Sequence, residues 1–483
     1  MYIFYITGND LDGDVIMNNN FKFNKINIDL IDLKIARKIG KEKSIEGGYI
    51  PVWEEGKELI ILSKEENIKD IKEIQFIYGL NIKIKIIDEE LLNSIIKYVY
   101  LGEEEDLFEN LLKDSINKGA SDLHFEPEEL ETLIRIRIDG SLNKIAKIYK
   151  SEYIRLISKV KALGNMDITE RRRPQDGKAN INIGNSTYDL RISVIPTING
   201  EKLVIRILYG ESFKYSMESL NINKKQKEKI ERIIGYKTGL VIVAGPTGSG
   251  KSSSLYTILK KIKDKDINIT TLEDPIEVII KGINQMSLNK KAEITFANGL
   301  RSILRQDPDV IMVGEIRDEE TANIAIRASL TGHKVYTTIH TKSPEEVIYR
   351  LEDMGVKSYL IKDSIVGIIS QRLIRILCPR CKSYNDEIYF KDKKIKNYSK
   401  VGCEFCNYTG YKGRKVLSSI VEINNKKIGN KQSIFQEIEK GGNDEMIDNL
   451  NDLFLKGEVG LKEYKDFIIE EGFSYEEYFK YIQ

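Results

Sequence analysis

The run Gly245-Pro246-Thr247-Gly248-Ser249-Gly250-Lys251-Ser252 constrains this chain more than any other stretch. It is a complete G-x-x-x-x-G-K-[ST] phosphate loop, preceded by the apolar Gly239-Leu240-Val241-Ile242-Val243-Ala244 and followed by a helix-compatible run from Ser253 to Leu259. Glycines let successive backbone N–H groups turn inward around phosphate oxygens, and the helix N-terminus adds the positive end of its dipole. In such a loop Lys251 reaches the β- and γ-phosphates, and the Ser252 hydroxyl, next to Ser253, can ligate Mg²⁺. A nucleoside triphosphate is therefore the expected ligand of residues 245 to 253.

A phosphate loop belongs at the edge of a parallel α/β sheet. Residues 220 to about 377 alternate buried-looking strands with helices, as that architecture requires. The 483 residues leave room for about three domains at roughly 150 residues each. Residues 1–103 mix short strands, at Glu58 to Leu62 and Ile82 to Ile86, with an amphipathic helix from Glu89 to Tyr98, which reads as a small N-terminal α+β domain. The acidic Glu103-Glu104-Glu105-Asp106 reads as the cap and first turn of the next domain's first helix, since carboxylates suit a helix N-terminus. Within residues 104–210, Leu133 to Ile138 alternates with period two and ends at Asp139-Gly140, and Tyr188 to Val194 and Leu203 to Leu208 repeat the pattern. The apolar members of these strands point to a core, so Arg191 and Arg206 point away from it. Residues 211–483 contain the nucleotide sheet, then the cysteines, then helical sequence.

Three further clusters carry chemistry. Asp309-Val310-Ile311-Met312-Val313-Gly314-Glu315 is an apolar strand tipped by an acid, a Walker B element in which Glu315 can polarise an attacking water or, more simply, cap the next helix. Thr270-Thr271-Leu272-Glu273-Asp274-Pro275-Ile276-Glu277 ends another strand in three carboxylates, suited to Mg²⁺ and water or to a solvated acidic turn, with Glu273 the expected magnesium partner of Ser252. Of the three histidines, His333 and His340 flank one strand that follows Walker B, so His340 is either a sensor of the γ-phosphate or a satisfied core residue. His124 lies outside the nucleotide sheet.

All four cysteines fall in two C-x-x-C pairs, Cys378 with Cys381 and Cys403 with Cys406, separated by 21 residues. That spacing points to one Zn²⁺ held by four thiolates, a closed structural site that clips a polar loop from Asn385 to Tyr398. Lys and Arg total 75 against 74 Asp and Glu, a formal charge of +1, so no global basic field draws the chain to nucleic acid or an anionic membrane. A zinc-dependent nucleic-acid-binding protein with a regulatory nucleotide site is the reading from another class. The near-neutral charge and the lack of a basic-aromatic stripe argue against it. The apolar Met1 to Ile6 lacks a basic leader, and no stretch approaches the roughly 18 apolar residues of a spanning helix, so the expected location is cytoplasmic. Heavy use of Ile, Lys and Asn fits an AT-rich genome.

At these residues the chain resembles the hexameric secretion ATPases that drive type IV pilus assembly and type II secretion. The resemblance runs from Gly119 to about Ile423. It includes the Ser121-Asp122-Leu123-His124-Phe125-Glu126-Pro127 box, Arg137-Ile138-Asp139-Gly140, Arg173-Pro174-Gln175-Asp176-Gly177, both Walker elements, the acidic and histidine boxes, Gln371-Arg372-Leu373 and the paired cysteines. It implies a RecA-like P-loop ATPase domain joined to a PAS-like α+β middle domain, with ATP and Mg²⁺ bound between subunits of a homohexamer. It also implies that Arg191 and Arg206 serve as arginine fingers, and that Arg301, Arg305, Arg317 and Arg350 lie around the subunit interface. The N-terminal extension together with the tetracysteine clip points to the pilus-extension branch, with a type II secretion ATPase or the competence pseudopilus motor as the alternative. The implied partners are an inner-membrane platform protein and, through residues 1–103, further cytoplasmic assembly proteins, at the inner face of the membrane. Departures are Lys178 in place of an Arg, Ser253-Ser254 in place of a Thr pair, and a weak match before residue 103.

Overall fold

The computed structural model describes residues 30–104, 106–184, 186–208, 216–263, 266–289, 292–390, 393–423, 438 and 444–472. The chain divides into two compact units, the first made of the residues up to Leu208 together with Asn407–Thr409 and the second of the other later residues. No described helix is long and apolar enough to cross a membrane.

In the first unit, β1 (Tyr49–Glu55), β2 (Glu58–Ser63) and β3 (Asn81–Ile86) form a small sheet in that order. Its helix Glu89–Val99 begins where Asp88 accepts a hydrogen bond from Leu91 N at 2.8 Å. Arg37 ties this sheet to the next one. Its Nε donates to Val99 O at 2.6 Å, its guanidinium meets Glu152 at 2.5 Å, and it stacks 4.7 Å above the Tyr149 ring. Both side chains of the pair are buried, at 8% and 7% exposure. Gly102 packs so closely here that a Cβ would lie 2.0 Å from the Glu152 carboxylate. The acidic run differs from expectation: Glu103 closes a short 3₁₀ turn (Leu101–Glu103), and Asp106, at the N-cap of Leu107–Asn117, makes no side-chain cap bond.

The second sheet of this unit is antiparallel: β4 (Asp122–Pro127), β5 (Glu131–Ile138), β6 (Ser141–Tyr149), β7 (Gln175–Ile183), β8 (Ser186–Thr197) and β9 (Gly200–Leu208), ordered β6-β5-β4-β9-β8-β7. In β5, Thr132, Ile134, Ile136 and Ile138 are buried while Arg135 and Arg137 lie on the other face, the period-two pattern of a half-buried strand. Asp139 (φ 49°) and Gly140 (φ 85°) both adopt left-handed backbone, the geometry of a two-residue hairpin turn, which explains why the strand stops there.

The second unit contains β10 (Gly239–Ala244), β11 (Ile269–Glu273), β12 (Asn284–Ser287), β13 (Val310–Val313), β14 (Lys334–Ile339), β15 (Ile365–Leu377), β16 (Ser383–Phe390), β17 (Lys393–Ser399) and β18 (Tyr411–Glu422). Seven of them form one RecA-like sheet ordered β12-β11-β13-β14-β10-β15-β18, parallel except for the edge strand β18. Leu240, Ile242, Ile311, Val313 and Val335 pack on one face, and Val241, Val243, Met312, Tyr336 and Ile369 on the other. Both faces are covered, so every residue of β10 and β14 is buried, and β10 reads as an unbroken apolar run rather than an alternating one. Parallel strands also bring the C-terminal ends of β10, β11, β13 and β14 to one edge, where ligands of such sheets bind.

The segment between the cysteine pairs corrects the sequence reading. It is not a loop too polar to bury a core; β16 and β17 form an antiparallel hairpin. Ile388 and Phe390 pack with Leu450, Phe454, Tyr464 and Ile468 of the helices Asp444–Leu455 and Leu461–Glu470, with the Phe390 and Phe454 rings 5.2 Å apart. Three inward apolar side chains, counting Ile395, are enough to seat the hairpin although its outer face is charged.

Candidate functional site

The phosphate loop leaves β10 and enters the helix Lys251–Ile262. Gly248 (φ 80°) and Gly250 (φ 87°) take left-handed backbone, and at Gly245 a Cβ would lie 2.6 Å from Gln371 O. The loop is therefore shaped against β15, whose Gln371 donates from Nε2 to Ser249 O at 2.7 Å. Lys251 folds over the loop, its Nζ donating to Gly245 O at 2.8 Å and Pro246 O at 2.9 Å. Ser249 Oγ is buried and has no partner among the described residues. A buried cation resting on two carbonyls, an orphaned hydroxyl and a glycine cradle together fit a polyphosphate. Burial pushes the Lys251 ammonium down to about 8, against an upward pull from Glu315.

Glu315 follows Gly314 at the tip of β13, and His340 follows the last residue of β14. Because β14 lies between β10 and β13, His340 falls between Lys251 and Glu315. Its Nδ1 is 3.5 Å from Lys251 Nζ, and its Nε2 is 3.4 Å from Glu315 Oε2. Burial and the neighbouring Lys251 hold His340 below its ordinary pKa, so the ring is neutral at pH 7. With Lys251 Nζ as the donor to Nδ1, the ring carries its hydrogen on Nε2, which faces the Glu315 carboxylate at ion-pair distance. The Walker B tip itself is pinned, with Gly314 N donating to Leu272 O at 2.8 Å and Thr338 Oγ1 donating to Gly314 O at 2.7 Å. Glu315 also pairs with Arg317. Arg317, Arg350, Glu346, Tyr349 and Asp353 continue from Glu315 and His340 into a cavity of about 690 Å³. Arg301 lies apart from it on the surface, paired with Glu320, and Arg305 bonds back to Arg301 O.

The acidic run is arranged differently from the expectation of an open carboxylate at Glu273. Glu273 is 3% exposed, and Tyr256 OH, Thr271 Oγ1 (2.5 Å) and Gln285 Nε2 (3.1 Å) all donate to it. A strand end facing inward satisfies its acid with three donors rather than leaving it bare. Asp274 and Glu277 are the exposed acids of the run, and Glu277 adds to the field at Lys251. Ser252 and Ser253 sit half-buried on the helix's first turn, while Pro246, Thr247 and Gly248 form the exposed tip.

In the first unit, strand register lines up one row of charge across the antiparallel sheet. Arg137 stands opposite Asp122, Asp122 opposite Arg206, Arg206 opposite Arg191, and Arg191 opposite Lys178. Asp122 is the one acid in this row; its carboxylate takes Arg206 Nε at 3.0 Å and the Ser121 hydroxyl at 2.8 Å, with Arg137 Nε at 3.7 Å. Arg206 remains 62% exposed. Both Arg191 and Arg206 lie on the face away from the buried Leu190, Ile192, Ile205 and Ile207.

The four cysteine sulfurs lie within 4.8 Å of one another, with Cys378 to Cys403 at 3.9 Å, Cys381 to Cys406 at 3.7 Å and Cys403 to Cys406 at 3.8 Å. Four sulfurs arranged tetrahedrally about zinc at about 2.3 Å stand roughly 3.8 Å apart, so the set fits Zn²⁺. Backbone N–H groups of Gly402, Cys403 and Gly410 donate to Cys381 and Cys406 sulfurs at 3.2 to 3.3 Å, as suits thiolates that hold a metal.

Tyr256, Gln285 and the loop-bracing role of Gln371 were not singled out in the sequence. Each acts on a residue on another element, and although Gln371 stands in the Gln371-Arg372-Leu373 box, nothing local shows which atom any of them bonds.

The Type II/IV secretion system protein family profile matches residues 101–466. The chain is similar to the type II secretion system protein E of Aeromonas hydrophila, 41% identical over 327 residues that cover 66% of this chain and 65% of that one. It thus spans just under two thirds of that relative's length. It is also similar to the type IV pilus assembly ATPase PilB of Pseudomonas aeruginosa, 37% identical over 421 residues, covering 77% of this chain and 74% of that one. The X-ray structure of the ATPase DotB from Legionella pneumophila superposes with a TM-score of 0.58 at 22% identity, covering 75% of this chain and 95% of that one, which shows a shared fold.

Proposed function

The chain belongs to the Type II/IV secretion system protein family, and from that premise we propose that it is an ATP-hydrolysing motor that powers type IV pilus extension. The observation that carries the ATPase reading is the contact chain from Lys251 through His340 to Glu315, which joins the phosphate-binding cation to the acid at the Walker B tip. In this reading Lys251 leaves the Gly245 and Pro246 carbonyls for the β- and γ-phosphates. Glu315 orients a water and takes up its proton as the water attacks the γ-phosphate, giving ADP and phosphate. Neutral His340 reports through Nδ1 on whether Lys251 has moved, and through Nε2 it holds Glu315 in place. Mg²⁺ would be held by the Ser252 hydroxyl together with the phosphates and would neutralise charge there, with Glu273 reaching it only through water. Cys378, Cys381, Cys403 and Cys406 would hold Zn²⁺, which supplies structure rather than an open catalytic position.

Two results follow for the purified chain. Glu315→Gln is expected to keep ATP binding while turnover falls about 10²-fold or more, the scale of a proton-transfer or water-positioning group. Phosphate release and fluorescent-nucleotide titration check it together, and wild-type turnover overturns the assignment. ATP affinity is expected to be level below about pH 8 and to weaken above it by up to about tenfold per pH unit. The sign follows from the depressed Lys251: above pH 8 the free protein has lost a proton that the phosphates require it to regain. A flat affinity from pH 7 to 10 contradicts the role given to Lys251.

For the larger machine, the reading is a homohexamer at the cytoplasmic face of the membrane, with ATP between subunits. It turns a membrane platform protein, and residues 1–103 meet further assembly proteins. An Ile-, Lys- and Asn-rich composition supports pilus extension over type II secretion, because it suits AT-rich, single-membrane cells in which export through an outer membrane has no place. The higher identity with the Aeromonas type II relative supports the second reading, a type II secretion motor. Deleting the gene should abolish surface pilin fibres, and Glu315→Gln should fail to restore them. Intact fibres with a lost set of secreted proteins would select the second reading.

A further inference from the structure

β15 serves two bodies. Its first half pairs with β10 in the nucleotide sheet, from Leu240 opposite Ile365 to Ala244 opposite Ser370. Its second half carries Ile374 into the core of the hairpin and the two last described helices, and it ends beside Cys378. At the crossing stands Arg372, buried, next to the Gln371 that braces the phosphate loop.

Every direction of the Arg372 guanidinium is used. NH1 donates to Gln371 O at 3.0 Å, and NH2 donates to Lys342 O at 2.9 Å, on the chain just beyond His340. Nε and NH2 also form a two-pronged pair with Glu471, at 2.5 and 2.6 Å, where the helix Leu461–Glu470 ends. Side-chain exposures of 6% and 16% place this pair largely out of water, where a fork-to-fork arginine–carboxylate contact is directional and poorly screened. The planar fork cannot rotate to follow Glu471 without letting go of one of the two carbonyls.

We infer that Arg372 and Glu471 are a positioning pair for ATP hydrolysis: the end of the last described helix, through Glu471, orients the guanidinium that fixes both the brace of the phosphate loop and the segment leaving His340. The inference rests on the reading of the loop at 245–252 as the ATP site. Neither residue touches the nucleotide in this scheme. Loss of the pair lets Gln371 and Lys342 shift, which loosens the loop that binds phosphate and the backbone that aims His340 at Glu315. A mere staple for the helix would do neither.

The test uses the full chain at a temperature well below its melting point. Glu471→Gln removes the charge and keeps the shape, and it should raise KM for ATP and Kd for a fluorescent ATP analogue about tenfold, within the range seen for coupled neighbours. Zinc content should be unchanged. A lower melting temperature with KM, Kd and kcat at wild-type values would show a staple and overturn the inference. Should Glu471→Gln fold poorly, the double replacement Arg372→Met with Glu471→Leu serves instead, because exchanging both members of a buried pair for apolar side chains is often neutral for stability. It should show the same rise in KM with the fold retained, and a wild-type KM again overturns the inference. Lys251→Ala separates the two readings: normal nucleotide binding by that variant sinks the ATP site itself, whereas its failure to bind beside a wild-type Glu471→Gln sinks only the positioning pair.

Discussion

Arg206→Ala is expected to lower ATP turnover by about 10³- to 10⁵-fold, the contribution of an arginine that stabilises charge on a transferring phosphoryl group, while the same polypeptide still binds ATP. Arg206 has what such a role requires: an exposed guanidinium on a rigid strand, aimed by a buried carboxylate. Asp122 takes Nε of Arg206 at 3.0 Å while the arginine side chain stays 62% exposed, so Asp122→Asn should reproduce part of the loss by releasing the aim rather than the charge. Arg191 stands opposite Arg206 in the neighbouring strand, and its removal belongs to the same test. The strands that carry both arginines lie in a different unit from the phosphate loop, and the proposed hexamer lets them act on ATP held by a neighbour. Mixing Arg206→Ala subunits with Lys251→Ala subunits should then restore some activity. Mixed hexamers that form and stay inactive would contradict action in trans, or show that the ring needs every site intact.

Stripping zinc under reducing conditions is expected to open the region from Cys378 to Gly410, because apparent binding free energies of structural zinc sites are roughly 10 to 16 kcal/mol. The sulfur spacing near 3.8 Å is the reason to expect full occupancy, because it matches the S···S distance of four thiolates about one zinc ion. Cys403→Ser should abolish stoichiometric zinc and lower the melting temperature far more than it weakens ATP binding, since the phosphate loop and the tip of β13 lie outside the segment from Cys378 to Cys406. The hairpin's own apolar contacts with Leu450 and Phe454 should leave part of that region folded, which circular dichroism after chelation can follow. Purified protein with an intact fold and no more than a trace of zinc would rule the site out. Hydrolysis lost at once on chelation, before any unfolding, would show that the metal is coupled to the chemistry.

The parts of this molecule that could be read from sequence are those whose signal is local. The phosphate loop, the apolar β10 and β13, and the two cysteine pairs each carry their own pattern of residues. What sequence could not supply was adjacency. His340 was one of two histidines flanking a strand until the strand order placed β14 between β10 and β13. The Glu273 carboxylate looked free because its donors, Tyr256 and Gln285, come from other elements. Between the cysteines, charged Asp386, Glu387 and Lys394 masked the inward Ile388, Phe390 and Ile395, so a hairpin read as a loop. Glu471 is 99 positions from Arg372, and nothing in its own helix distinguishes it from other acids.

The buried contact of Arg37 with Glu152 decides where this chain can be cut. The family profile begins at residue 101, and a fragment starting near there would look like a natural truncation. Such a fragment would strip Glu152 of its guanidinium and bare the cleft now filled by Arg37 and Gly102, and leaving one member of a buried pair alone costs about 3 to 5 kcal/mol. That is a large part of a typical domain's whole stability of about 5 to 15 kcal/mol. A shortened protein meant to display the arginine-bearing sheet in isolation therefore has to keep the chain from Leu33 onward, and poor yield from the shorter version would report a severed contact rather than an unfoldable domain.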